Sequence, residues 1–221
     1  MVRGVRESGL QAGSLKPAGY FSQDRAELVG RLPRPLGRVL DVGCGEGATG
    51  RSLRAAGAEW ISGVELEESA AVRAAEEYDE VHVGPVEEQL ESLTGPFDTI
   101  LAYDVLEHLV DPWSLLRRLH GVASPGARIH VSVPNARHWT LLRDLAFRGT
   151  FGYTPAEHRD VTHLRWFTRR DLVGLLESTG WDVSGVGFGA LRPVSRLASR
   201  LSRGRSPEFL AYQLSALARR R

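Results

Sequence analysis

Short apolar runs alternate with amphipathic stretches along this chain, and the apolar period switches repeatedly between about two and about 3.6. Arg38-Val39-Leu40-Asp41-Val42 predicts a strand that runs straight into glycines, and a helical stretch follows from Gly50 to Ala56, closed by Gly57. Glu59–Glu65 reads as the second strand, Glu67–Tyr78 as its helix, Glu80–Val83 as a short third strand and Phe97–Tyr103 as a fourth. Leu115, Leu116 and Leu119 stand at helical spacing within Pro112–Val122, and Pro125-Gly126 is the expected stop of that helix. Arg128–Val133 alternates as a fifth strand and ends at Pro134-Asn135. A helix over Arg169–Thr179 begins behind a cap at Thr168 and ends at Gly180, and Trp181–Phe188 is a sixth strand. Strands and helices in this alternation predict a βαβ protein with a parallel sheet.

Two segments break the rhythm. Residues 136 to 168 are long for a connection and rich in His, Trp, Arg and Tyr, which marks a lid or binding loop. Phe209–Ala218 is ambiguous, because Leu210, Leu214 and Leu217 also fit a helix.

Composition removes whole classes. With 221 residues, 42% hydrophobic and 25% charged, the chain has the make-up of an ordinary globular protein able to bury a core. A single cysteine, Cys44, cannot form an internal disulfide, so a secreted disulfide scaffold is excluded and a reducing cytoplasm is expected. No apolar run approaches the roughly 20 residues that span a bilayer, and Met1 to Lys16 lacks the apolar stretch of a signal peptide. The net charge of +1 conceals an asymmetry: Arg192 to Arg221 holds eight Arg against Glu208, a local +7, which leaves the preceding residues at −6. Lys16 is the only lysine, a uniformity that reads as coding bias rather than as a site.

The chemistry concentrates at Asp41-Val-Gly43-Cys44-Gly45-Glu-Gly47, between a strand and a helix. Glycines there let the backbone turn tightly and a ligand lie against it. Gly45-Glu-Gly47-Ala-Thr-Gly50 also matches the dinucleotide pattern G-x-G-x-x-G, and Glu65 suits a ribose diol under either reading. Asp41 separates the two. A dinucleotide puts its pyrophosphate on the helix N-terminus, where a carboxylate before the first glycine would repel it. A cofactor with a cationic amino-acid end and no phosphate tolerates that carboxylate, and S-adenosylmethionine fits this description.

These residues resemble the class I S-adenosylmethionine-dependent methyltransferase family. Val39-Leu-Asp-Val-Gly-Cys-Gly-Glu-Gly is similar to its first motif, Gly63-Val-Glu65 to its second-strand acid, and Phe97-Asp-Thr-Ile-Leu-Ala-Tyr-Asp104-Val-Leu-Glu-His108-Leu-Val-Asp-Pro112 to its fourth-strand motif. Ser132-Val-Pro-Asn135 with Asp160-Val-Thr-His163-Leu-Arg-Trp-Phe-Thr168 resembles a subgroup often associated with glycan and natural-product methylation. The resemblance covers roughly residues 18 to 218. It implies a Rossmann-like, doubly wound α/β sheet of seven strands, mostly parallel, with an antiparallel last strand beside the sixth and helices on both faces. On that ground Phe209–Ala218 is expected to be a strand. The implied organisation is one domain over 1–221: an N-terminal helical cover (1–36), a cofactor-binding core (37–133), a lid or substrate insertion (134–168) and a C-terminal part with a basic connection (169–221).

Carried over by position, the resemblance places Gly43, Cys44, Gly45 and Gly47 under the methionine part, Asp41 near its amino group and Tyr20 over it. Glu65 accepts from the ribose hydroxyls and Leu66 packs on the adenine. Tyr103, Asp104, Val105 and His108 close over the cofactor. The family's acidic residue after Gly84 is displaced here by Pro85-Val86, so Val86 or Glu87 is the expected adenine contact.

Methyl transfer to a hydroxyl requires an aligned acceptor and removal of a proton, a task that suits histidine near neutral pH. Four histidines fall where this fold puts the pocket mouth. His108 is read as a cofactor-side structural residue. His163 is the preferred general base with Asp160 as its orienting carboxylate, and His158 and His138 are further base or substrate contacts. His158-x-Asp160-x-x-His163 can be read as metal ligands, but no second ligand cluster supports it, and no metal is expected. Trp139, Phe151, Tyr153 and Trp166 either wall the acceptor or form the lid's own small core, and Arg165 pairs either with an anionic acceptor or with an acid of the body.

The expected function is methylation of a small-molecule or glycan acceptor, an anionic one included, most simply on a hydroxyl. The alternatives are N- or C-methylation, a dinucleotide-dependent oxidoreductase, and an inactive cofactor-binding partner subunit. Nucleic acid is not an expected partner. Residues 189–206 would emerge at the pocket rim as a solvated loop, a dock for phosphate-bearing or lipid-linked substrates or, least expected, a nucleic-acid contact, and the Arg-rich stretch 192–205 could add a weak peripheral membrane contact through a short interfacial helix.

Overall fold

The computed structural model describes residues 24–155, 157–189 and 207–221. Tyr20, most of the N-terminal cover and the Arg-rich segment 192–205 lie outside the described residues.

Seven strands form one sheet: β1 (Arg38–Val42), β2 (Trp60–Glu65), β3 (Glu80–Val83), β4 (Phe97–Tyr103), β5 (Ala123–Pro134), β6 (Trp181–Gly189) and β7 (Gln213–Arg220). Their spatial order is β3-β2-β1-β4-β5-β7-β6. Strands β1 to β5 pair in parallel, while β7 lies antiparallel between β5 and β6. The helices are α1 (Ala26–Val29), α2 (Ala48–Ala55), α3 (Glu68–Ala74), α4 (Val86–Gln89), α5 (Pro112–Arg118), α6 (Trp139–Arg143), α7 (Arg169–Ser178) and α8 (Pro207–Leu210). This is the Rossmann-like fold implied by the resemblance.

The central strands β1, β2 and β4 are buried on both faces, and alternate residues feed two cores. Val39, Ile61 and Leu101 pack with Leu28, Leu32, Leu53 and Tyr78 beside α1–α3. Leu40, Val42, Val64 and Ile100 pack with Leu115, Leu116, Leu172, Leu176 and Trp181 beside α5 and α7. Trp181, fully buried, donates its indole N–H to the Leu116 carbonyl at 3.0 Å and so fastens the start of β6 to α5.

Helix starts follow the sequence signals. Asp111 accepts from Ser114 N–H at 2.9 Å with Pro112 in the first turn, and Thr168 with Asp171 makes a reciprocal capping box.

Three expectations are corrected. Pro125-Gly126 does not stop the preceding helix, which ends at Arg118 and tightens into a 3₁₀ turn over Leu119–Gly121. The dipeptide instead lies inside β5, where the register slips between Ala123 and Arg128. The last strand runs over Gln213–Arg220 rather than Phe209–Ala218, because Pro207–Leu210 takes the helical turn that its local pattern favours. Helix α3 stops at Ala74 rather than Tyr78. Its continuation is a turn that delivers the Tyr78 hydroxyl to the sheet.

Candidate active site

The sheet order reverses between β1 and β4, so the crevice beyond their C-terminal ends is where this architecture takes a ligand. The β1–α2 turn occupies it. Gly43, Gly45 and Gly47 have φ of +72°, +56° and +83°, a region that side chains disfavour. Gly43 and Cys44 donate to the Val64 carbonyl at 2.8 and 3.2 Å, which lays the turn across the end of β2. Neighbours leave little room beside it: a Cβ on Gly47 would lie 2.8 Å from Ala74 Cα, and one on Gly43 would lie 2.6 Å from Val105 Cγ2. Cys44 is a filler, buried against Gly63, where a Cβ would come within 2.7 Å of its sulfur. Burial pushes its thiol up, which keeps it unreactive.

Two carboxylates stand at this turn. Glu65 is buried, and its oxygens accept from Gly45 N–H at 2.8 Å and Glu67 N–H at 3.0 Å. Each oxygen has a second lone pair for a ribose hydroxyl. Asp41 is buried and accepts from the Tyr78 hydroxyl at 2.6 Å. Burial, reinforced by the Glu65 charge and opposed by the Tyr78 hydrogen bond, pushes its carboxyl up to about 7. Leu66 beside them is 61% exposed, an uncovered apolar surface at the crevice edge. A positive-φ cradle, two acids and an open apolar face fit a cofactor with a cationic end, a diol and a planar base. Val86 is buried in the sheet core and Glu87 is half-buried at the start of α4.

The β4 residues divide. Tyr103 turns into the α1–α3 core, where its hydroxyl meets His130 Nδ1 at 2.9 Å, and burial pushes that hydroxyl up. Burial likewise brings His130 down to about 4. Asp104, with φ +56°, faces Arg25, with which it forms an ion pair, and accepts from Gln213 at 2.8 and 3.0 Å. Its carboxylate thus ties α1's approach and β7 to the crevice. Val105 packs on Gly43.

The candidate histidines fall into two groups. His138, His158 and Tyr212 form one: ring centroids lie 5.5 Å apart for His138–His158, 4.8 Å for His138–Tyr212 and 4.5 Å for His158–Tyr212. His108 and His163 form the other, with centroids 4.7 Å apart at 68°. The 3₁₀ turn Leu106–His108 is stitched to the lid, because the Glu107 carbonyl accepts from Leu164 and Arg165 N–H at 2.8 and 3.0 Å. Asp160, expected beside His163, uses its Oδ1 on Thr162, accepting from N–H at 2.8 Å and from the hydroxyl at 2.7 Å. Thr162 in turn meets His108 Nδ1, at 3.2 Å from its hydroxyl and 3.3 Å from its carbonyl.

Sequence reasoning left Glu107 out, although it stands within the fourth-strand motif next to His108. It is 1% exposed, and neither carboxylate oxygen has a hydrogen-bond partner among the described residues. Burial and the Asp104 charge push its carboxyl well up. Ligand atoms of Glu107, His108 and His163 all lie within 4.8 Å of one another.

In the lid, Asp144 gathers Arg159 at 2.6 Å and Arg143 at 2.8 Å. Phe151 contacts Tyr153 at 4.8 Å and Trp166 at 5.5 Å between ring centroids, and the latter two stay partly exposed. Trp139 lies apart from that trio in these contacts, beneath Arg143 at 5.1 Å. Arg165 donates to the Val110 and Leu164 carbonyls.

The profile of the methyltransferase domain matches residues 17–184. The ubiquinone biosynthesis O-methyltransferase of Xanthomonas euvesicatoria pv. vesicatoria is 30% identical over 210 residues, covering 90% of this chain and 85% of that protein. A S-adenosylmethionine-dependent methyltransferase from Archaeoglobus fulgidus superposes with a TM-score of 0.67 at 20% identity, over 91% of this chain and 97% of that one. Magnesium protoporphyrin IX methyltransferase from Synechocystis, solved with bound S-adenosylhomocysteine, gives 0.53 at 21% identity over 87% and 76%.

Proposed function

Since the chain belongs to the methyltransferase domain family and is a class I S-adenosylmethionine-dependent enzyme, we propose that it methylates a hydroxyl oxygen of a small-molecule or glycan acceptor. The observation that carries the hydroxyl reading is the pairing of His108 with His163, 4.7 Å apart, next to the turn residue Val105 that packs on Gly43. The O-methyltransferase named for the Xanthomonas relative agrees with it.

When bound, the cofactor supplies a methyl group on a sulfonium. Asp41 faces its amino group, Glu65 receives its ribose hydroxyls and Leu66 covers its adenine. The positive-φ glycine turn would form the floor under its methionine part. The paired imidazoles of His108 and His163 are where the acceptor's hydroxyl would be activated, and Phe151, Tyr153 and Trp166 offer an aromatic wall to the acceptor. A lone, buried Cys44 accords with a cytoplasmic setting, and no described helix is long and apolar enough to cross a membrane.

The test is His163→Ala. Affinity for S-adenosylhomocysteine should stay nearly constant while turnover with a hydroxyl acceptor falls by about 100-fold or more. An unchanged turnover would remove the imidazole pair from the chemistry.

A further inference from the structure

Glu107 poses an energetic problem. A buried carboxylate without hydrogen bonds costs several kcal/mol unless something compensates it. Both oxygens of Glu107 lack a hydrogen-bond partner among the described residues, and ligand atoms of His108 and His163 lie within 4.8 Å of the carboxylate, while the charges of Asp104, Arg25 and Asp160 act on it from further off. The backbone has pre-arranged this grouping: Leu164 and Arg165 N–H hold the Glu107 carbonyl, and Thr162 holds His108. The hydrogen-bond network also assigns the tautomer of His108. The Thr162 carbonyl can only accept, and the Thr162 hydroxyl already donates to Asp160, so Nδ1 of His108 is the donor to both. In the neutral ring the lone pair then belongs to Nε2. A ring N–H fixed by an outer partner, itself held by a carboxylate, is the arrangement that orients a metal-ligating histidine.

We propose that Glu107, His108 and His163 bind a divalent first-row transition metal ion of the Zn²⁺ class, with Thr162 and Asp160 as its supporting shell. Two imidazoles and one carboxylate suit Zn²⁺ and its neighbours, whereas Mg²⁺ and Ca²⁺ prefer all-oxygen sites. Three protein ligands leave a coordination position open, and His108 is only half-buried, so the cluster is reachable from outside.

For its catalytic use the proposal rests on the hydroxyl-methylation reading. An acceptor hydroxyl in the open position is acidified by the cation and loses its proton to water. The new O–C bond forms as the C–S bond of the sulfonium breaks, and the electron pair of that bond remains on sulfur. His163 then serves as a ligand rather than as the base itself.

Titration of the chelator-treated full chain with Zn²⁺ by calorimetry tests the site without any turnover. One equivalent should bind. Glu107→Gln and His163→Ala should each weaken it by at least about 10- to 100-fold, the loss typical even of outer-shell partners, and Thr162→Val by about 10-fold. His82→Ala, at a histidine paired with Glu80 on β3, should leave binding unchanged. Zn²⁺ should also raise the melting temperature of the wild type and not of Glu107→Gln, which separates ligand loss from misfolding. No binding, or equal binding by the variants, overturns the site and leaves Glu107 as a neutral buried acid. Absence of metal binding with intact turnover removes this inference alone, and failure to bind S-adenosylhomocysteine removes the methyl-transfer reading alone.

Discussion

Replacing Asp41 by Asn should yield a protein that is more stable and binds its cofactor less well, with the stability gain depending on pH. Asp41 is 3% exposed, and burial moves its carboxyl from the ordinary 3.8 to about 7. A folded-state value above the unfolded one means that the native state holds the proton more tightly. The stabilisation is therefore complete below about 3.8 and is lost as pH rises through about 7. The whole interval is worth ~4 kcal/mol. Asn has the same shape, does not titrate, and offers Oδ1 to the Tyr78 hydroxyl that now donates at 2.6 Å. Urea unfolding of both proteins at about pH 5 and about pH 8 should show the advantage of the variant widening by ~2–3 kcal/mol between the two conditions, at unchanged m. Calorimetry with S-adenosylhomocysteine at about pH 8 should show a loss of about 10- to 100-fold, since a charge-assisted contact to the amino group is gone. A stability difference that stays constant between those pH values would refute the reasoning, because it would mean that the carboxylate is already ionised at no cost.

Glu65→Gln keeps the shape of the side chain but removes the charge that meets Gly45 and Glu67 N–H, and should weaken S-adenosylhomocysteine binding by about 10-fold or more in the same calorimetric assay. Gly47→Ala forces a Cβ to within 2.8 Å of Ala74 Cα at φ +83°. It should lower unfolding free energy by ~2 kcal/mol or more in denaturant titration. Thr168→Ala removes one half of the capping box on α7 and should cost ~1 kcal/mol in unfolding without changing cofactor affinity.

What could be read ahead of the structure followed local physics. Phe97–Tyr103 and Arg38–Val42 were legible to the residue, because short, mainly apolar runs ending in polar or glycine turns have few other places to go in a parallel sheet. The cofactor turn was legible for the same reason, since Gly43, Gly45 and Gly47 occupy backbone that other residues avoid. Glu107 was not, because Glu-His beside an apolar stretch has the look of a solvated face. Only the fold brings Leu164 and Arg165 N–H to its backbone carbonyl and His163 to its side chain. The link from Asp160 through Thr162 to His108 was not legible, since only the fold brings residues 54 positions apart together. Pro125-Gly126 was misread because a bulge inside a strand and a helix stop use the same residues.

The position of β7 has a consequence for biosynthesis. It is made after β6 yet lies inside it, and among the described residues β6 has β7 as its sole strand partner in the sheet. On the ribosome, β6 therefore emerges with nothing to pair with, and the edge of β5 must stay open until the following residues arrive. Gln213, which holds Asp104, and Ala211, whose carbonyl receives Asn135, arrive with them. The crevice thus cannot take its final form until those residues have been made. A nascent chain has no finished pocket to offer a ligand, and the exposed edges of β5 and β6 make this interval the stage at which chaperone protection matters most.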